Sequence, residues 1–207
     1  MKKSDSFNIV ILPDKETQSK AVVMSKKVGL KIPTEFQLNS IDLLPHITLY
    51  QAQFPLSRVR KMRSEVQDIV NKTKKFEVPL TSISIAYDTF VFWNCQKTND
   101  IQSLHERIVR ALNPLRDGLI RPDLLKMKNL SEEDKHDIHV FGALLIRPRY
   151  QPHMTITRLV NATDDKKALQ LLPKYKSESL KVTEIAFGYL GKHGTVYNII
   201  ESFPLQS

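Results

Sequence analysis

The sequence predicts an α+β protein of two pseudo-symmetric lobes, each built on antiparallel sheet, with a cleft between them. Three observations predict it. Segments of strand and helix period alternate along the 207 residues. The order strand, helix, strand, hairpin partner occurs twice. Two strands at matching places in that order open on nearly the same residues. With 41% hydrophobic and 26% charged residues the chain can bury a core, which excludes a disordered class.

Phe7 to Leu12 is an apolar run closed by Pro13-Asp14, the pattern of a buried strand and a turn. Lys15 to Val28 reads as a helix. Ile47 to Gln53 is β-rich and bounded by Pro45 and Pro55. Ser57 can cap the next helix, where Val59, Met62, Val66, Ile69 and Val70 form one stripe at helical period. Phe76 to Ile85 alternates and Thr89 to Trp93 is apolar, so Tyr87-Asp88 reads as a hairpin turn. The second round opens with a helix from Asp100 to Leu112, capped by Asn99, with its stripe on Ile101, Leu104, Ile108, Val109 and Leu112.

Asn113 to Tyr150 breaks the pattern with Pro114, Gly118 and Pro122, and about 115–149 reads as an insertion. It holds a short helix that Ser131 can cap, with Glu132, Glu133 and Asp134 at its positive end. Met154 to Val160 then matches Ile47 to Gln53, and Thr163 caps a helix to about Leu172. Leu180 to Leu190 and Thr195 to Phe203 are two strands around Gly191 to Gly194. No linker composition divides the chain, so 1–207 reads as a single bilobal domain.

A net charge of +9 favours anionic partners such as nucleic acid or nucleotides. No apolar run approaches the eighteen or so residues of a membrane-spanning helix, so no membrane partner is expected, and no obligate protein partner is evident. The start of the chain lacks a signal-peptide core, and the single Cys95 allows neither an internal disulfide nor a Cys-rich zinc site. The expected location is the cytoplasm.

The matching strands open Pro45-His46-Ile47-Thr48-Leu49 and Pro152-His153-Met154-Thr155-Ile156. Residues i and i+2 of a strand share a face, so each strand presents one imidazole and one hydroxyl while its apolar residues enter the core. One His-x-Thr word means little, because a lone strand histidine is usually structural. Two copies at equivalent positions point to paired chemistry. In-line cleavage of a phosphodiester needs a base for the attacking hydroxyl and an acid for the leaving oxygen, on opposite sides of phosphorus. Two imidazoles with unperturbed pKa of about 6.5 supply both near neutral pH. Thr48 and Thr155 can donate to the non-bridging oxygens. This chemistry calls for no metal and no cofactor.

On those words, on Gly194 to Ile200 with Phe203-Pro204-Leu205, and on the order of elements, the sequence resembles the two-histidine (2H) phosphoesterase superfamily, which includes 2′,5′-RNA ligase-like proteins and cyclic nucleotide phosphodiesterases. The resemblance implies a bilobal 2H fold and an enzyme acting on 2′,3′-cyclic phosphate or 2′,5′-phosphodiester bonds of RNA ends or nucleotides, by hydrolysis or in some members reversible 2′,5′-RNA ligation. His46, Thr48, His153 and Thr155 take the catalytic places. Tyr50 and Thr157, each four residues beyond its histidine, are candidates for lining the groove or for packing. Arg149 and Tyr150 lead into the second word and can hold phosphate or stack on a base. Tyr197, in the family-like closing strand, is a further candidate for substrate binding. The alternative is a basic RNA-binding module that keeps the motif with little turnover. His136 and His139 lack the Glu of a His-Glu-x-x-His zinc site and read as solvated, as do His105 and His193 as surface residues.

Overall fold

The computed structural model describes residues 3–173 and 178–206. In chain order the strands and helices are β1 (Ser4–Pro13), α1 (Lys15–Gly29), β2 (Ile47–Pro55), α2 (Val59–Val70), β3 (Phe76–Ala86), β4 (Phe90–Cys95), α3 (Asn99–Leu112), α4 (Pro122–Leu125), α5 (Glu132–Phe141), β5 (His153–Arg158), α6 (Asp165–Leu171), β6 (Glu178–Leu190) and β7 (Val196–Pro204). The seven strands run in the order β1-β2-β5-β4-β3-β6-β7, every pairing antiparallel, and β1 also pairs with β6.

The expected α+β architecture of two pseudo-symmetric lobes is present, but each lobe draws on both rounds of the sequence. One lobe is β2-β1-β6-β7 and the other β5-β4-β3. Strand β6 serves both: Glu178–Val182 pairs with β3, and Val182–Tyr189 pairs with β1. The lobes meet where Ile47 of β2 lies opposite Met154 of β5. Both residues are fully buried, so the residues on either side of them in each strand turn to the opposite face.

The amphipathic stripes pack where their periods require. Met62, Val66 and Val70 of α2 are buried, and α2 rests on α3 and β7 while α3 covers β2. Helix α1 lies over β5, and α6 over β3. Tyr87 and Asp88, with φ of 48° and 64°, form the turn that joins β3 and β4 as expected. Some caps fall elsewhere. Thr98, rather than Asn99, accepts from Ile101 N at the start of α3. Ser57 and Thr163 lie within 3-10 turns ahead of α2 and α6 and cap neither. Ser131 caps α5 through Asp134 N, as expected.

The inserted segment is bolted to β2 by buried polar groups. The Tyr50 hydroxyl donates to the Phe141 carbonyl (2.6 Å) and lies 3.1 Å from Asn113 Oδ1. Arg116 is buried, and its guanidinium donates to Asn113 Oδ1 and to the carbonyls of Leu119 and Val140. His105, expected at the surface, is 1% exposed. Its Nδ1 donates to the Leu49 carbonyl (2.6 Å), and its Nε2 accepts from Arg147 N–H (2.8 Å). The ring stacks on Tyr150 at 4.0 Å. A helix-edge histidine is drawn inward because both its nitrogens find backbone partners.

Replacing Tyr50 with Phe should cost about 1 kcal/mol, the net worth of one buried hydrogen bond. Urea denaturation reads the loss, and faster amide exchange confined to the insertion would locate it.

Candidate active site

The two His-x-Thr words flank the seam between the lobes. His46, Thr48, His153 and Thr155 all line one cleft of about 750 Å³. The prolines before the histidines give the rings a common posture, since each is fixed in φ and each ring turns back onto the carbonyl two residues upstream. His46 Nδ1 lies 2.8 Å from the Leu44 carbonyl, and His153 Nδ1 lies 2.7 Å from that of Gln151. A carbonyl only accepts, so each Nδ1 carries its proton. In the neutral ring the lone pair of each histidine therefore sits on Nε2.

Beyond this symmetry the two rings differ. His46 Nε2 faces the Gly194 carbonyl at 3.2 Å, in the turn between β6 and β7. His153 stacks on Phe92 of β4, centroids 3.7 Å apart and planes 20° from parallel. Thr48 Oγ1 accepts from Asn8 Nδ2 (3.1 Å), a wholly buried side chain of β1, which leaves the threonine proton to be offered to the cleft.

Strict alternation places Tyr50 and Thr157 on the histidine face, and two β-bulges change that. Ile9 and Val10 of β1 face Tyr50 and Thr48 in succession, so β2 carries an extra residue at Leu49. Val91 and Phe92 face Thr157 and Thr155, so β5 carries one at Ile156. Each bulge reverses the parity of the residues beyond it. Thr157 becomes fully buried and donates to the Phe36 carbonyl (2.6 Å). Tyr50 is 1% exposed, its hydroxyl held by the insertion. Gln51 and Arg158 join the cleft lining, which buried Tyr50 still borders and Thr157 does not. Arg158 lies over the Phe90 ring at 4.9 Å and donates to His193 Nδ1 (2.7 Å). The sequence holds the signal only as a second parity: His-x-Thr-x-x-Gln and His-x-Thr-x-x-Arg.

The remaining candidates are dispersed. Tyr150 borders the cleft, but its hydroxyl donates to the Thr48 carbonyl (2.9 Å), bracing the first word from behind. Arg149 pairs with Asp134 and Asp137 of α5 in an adjoining hollow. Tyr197 is exposed, 6.0 Å from Tyr189, away from the cleft lining. His193, expected at the surface, stands at the rim between Arg158 and Glu35. Sequence reasoning passed over Tyr87 and Phe90, which with Phe92 make an aromatic wall beside His153. It also passed over Arg121 and Asp123, which the insertion brings to the cleft. Among the described residues no group of three His, Cys, Asp or Glu side chains is placed to hold a metal ion.

A model of the 2′-5′ RNA ligase superfamily matches residues 41–194, which takes in both words and the turn at Gly194. The chain belongs to that superfamily. Solved structures share the fold of this superfamily member over nearly their whole length. The Thermus thermophilus protein TT0787 is 13% identical, with 97% of each chain covered and a TM-score of 0.58. Escherichia coli LigT in its apo form is 12% identical, with 99% of each chain covered and a TM-score of 0.57. LigT complexed with phosphate is 11% identical, with 99% of each chain covered and a TM-score of 0.55. No curated protein matches by sequence. The resemblance to two-histidine phosphoesterases is borne out by the family and by the fold.

In this superfamily member burial disfavours the charged form of both cleft histidines. Burial takes His153 from 6.5 down to about 4, His46 nearby adds to the fall, and the Gln151 carbonyl opposes it. His46 is also lowered by burial, against the pull of the Leu44 and Gly194 carbonyls. Because a charge on His46 disfavours a charge on His153, the pair favours holding one extra proton over two.

His105 too is lowered by burial to about 4, with the Leu49 carbonyl opposing. A histidine lowered on folding is neutral in the native state while its unfolded counterpart takes a proton below about 6.5, so its contribution to stability is full above that pH and shrinks toward 4. Thermal melts from pH 7 to 4 should therefore show falling stability, and NMR titration should place His105 and His153 near 4.

Proposed function

We propose that the chain is a metal-independent phosphodiesterase that opens 2′,3′-cyclic phosphates or cleaves 2′,5′-phosphodiesters of RNA ends or nucleotides. The observation that carries this reading is the pair of imidazoles on one cleft, each with Nδ1 committed to a carbonyl so that Nε2 is the nitrogen for proton transfer, that of His46 resting 3.2 Å from the Gly194 carbonyl. LigT, of similar fold, has been solved with phosphate and with 3′-AMP, which favours a phosphorylated nucleotide as ligand.

The asymmetry of the rings favours one division of roles in hydrolysis. His153 Nε2, neutral and beside the Phe92 ring, takes the proton from the attacking water as its oxygen bonds to phosphorus. His46 Nε2 carries a proton toward the Gly194 carbonyl and passes it to the ribose oxygen as the P–O bond breaks. The incoming phosphodiester anion favours the imidazolium that burial alone disfavours. Thr48 and Thr155 donate to the non-bridging oxygens where charge shifts in the transition state, and Arg158 adds a fixed positive charge. The described residues work as one unit with one histidine from each lobe, and the proposed setting is the cytoplasm. No helix among the described residues is long and apolar enough to cross a membrane.

His46→Ala and His153→Ala should each lower kcat on a nucleoside 2′,3′-cyclic phosphate by about 10² or more, in chelator, with folding unchanged by circular dichroism. The pH profile of kcat/KM should be bell-shaped, its acid limb well below 6.5 because the base is lowered on folding. A wild type that binds RNA yet turns over neither bond type would overturn the enzyme reading in favour of a binding module.

A further inference from the structure

The bulges give the two halves of the cleft unequal equipment. At the place where β5 sets Arg158, β2 sets the uncharged Gln51, so the His46 half has no cation on its own strand. The insertion brings a further cation to the cleft. Arg121, just ahead of α4, lines the same cleft and is only 8% exposed. Its Nε and Nη2 donate to the two oxygens of Asp123 at 3.1 and 2.8 Å, a fork that fixes the plane of the guanidinium. Its Nη1 is buried and has no hydrogen-bond partner among the described residues, and the same is true of Gln51 Oε1. A buried charged donor without an acceptor is costly, and its persistence at a cleft wall fits a site completed by a ligand.

We propose that Arg121 anchors a second phosphate of the substrate, on the 5′ side of the nucleoside whose 2′,3′ phosphate lies between the histidines. This rests on the phosphodiesterase reading and deepens it. The phosphate undergoing cleavage is already served by Thr48, Thr155 and Arg158 on the two seam strands, whereas Arg121 reaches the cleft from a different element, the turn ahead of α4. Its pairing with Asp123 neutralises most of the charge and fixes the guanidinium plane, while the two Nη1 hydrogens are left without an acceptor among the described residues, a need that a phosphate oxygen would meet. The preferred substrate is then an RNA end or a nucleotide that also carries a 5′-phosphate, over a nucleoside cyclic phosphate without one.

The test does not need turnover. Calorimetric titration compares 3′-AMP with adenosine 3′,5′-bisphosphate, two probes that differ by the one phosphate. The wild type should bind the bisphosphate about tenfold more tightly, the effect of one charge-assisted hydrogen bond. Arg121→Gln should abolish that preference and leave 3′-AMP affinity unchanged, while Arg121→Lys should keep part of it. Thermal melts of both variants confirm that they fold. Equal affinities in the wild type, or equal weakening of both probes in Arg121→Gln, would overturn the proposal. Failure of the wild type to hydrolyse any cyclic phosphate, with the bisphosphate preference intact, would instead overturn the phosphodiesterase reading alone.

Discussion

The site depends on a backbone pairing at the seam between the lobes, where β2 and β5 meet at Ile47 opposite Met154. Both side chains are driven into the core, and each drives its neighbours outward. The two histidines and two threonines are thus those neighbours, held together by apolar burial rather than by contacts of their own. Buried area can do this because packed interiors resist small displacements, so residues attached to a filled core inherit its rigidity. The carbonyls of Leu44 and Gln151 then fix the ring tautomers, and Asn8 and Tyr150 brace Thr48 from beneath.

Much of this was legible in the chain because it is written locally. The strands, the Tyr87-Asp88 hairpin, the stripes of α2 and α3, and the paired words all follow from short-range periodicity. The interleaving of the lobes was not legible, because it is decided by β6 pairing with strands far away in sequence. Nor were the bulges at Leu49 and Ile156, which arise from how twisted neighbours fit and show in the sequence only as the changed parity of Gln51 and Arg158. Their effect is large at the site: Tyr50 and Thr157 go inward, and Gln51 and Arg158 come to the cleft. His105 misled for a related reason, since its stripe position marks only the edge of the apolar face while its partners, Leu49 and Arg147, lie on other elements.

The insertion is fastened differently from the rest. Where the helices adhere through aliphatic stripes, this segment is tied by Tyr50, Arg116 and His105, each satisfied mainly by backbone atoms. Such a network adds little net stability relative to an apolar core but is exacting in geometry, because a displaced segment would strand buried donors. It therefore sets the position of the wall that carries Arg121.

Strand β6 has a consequence for how the protein comes into being. Its residues complete the sheet beside both β1 and β3, so neither lobe can be finished until that stretch has emerged from the ribosome. Until then β1 and β3 each lack a neighbouring strand, and an unpaired edge attracts foreign strands. Contacts so distant in sequence also slow folding, because long loops must close before they are rewarded. The strand that unites the lobes is thus also the late step that makes the nascent chain vulnerable to misassembly.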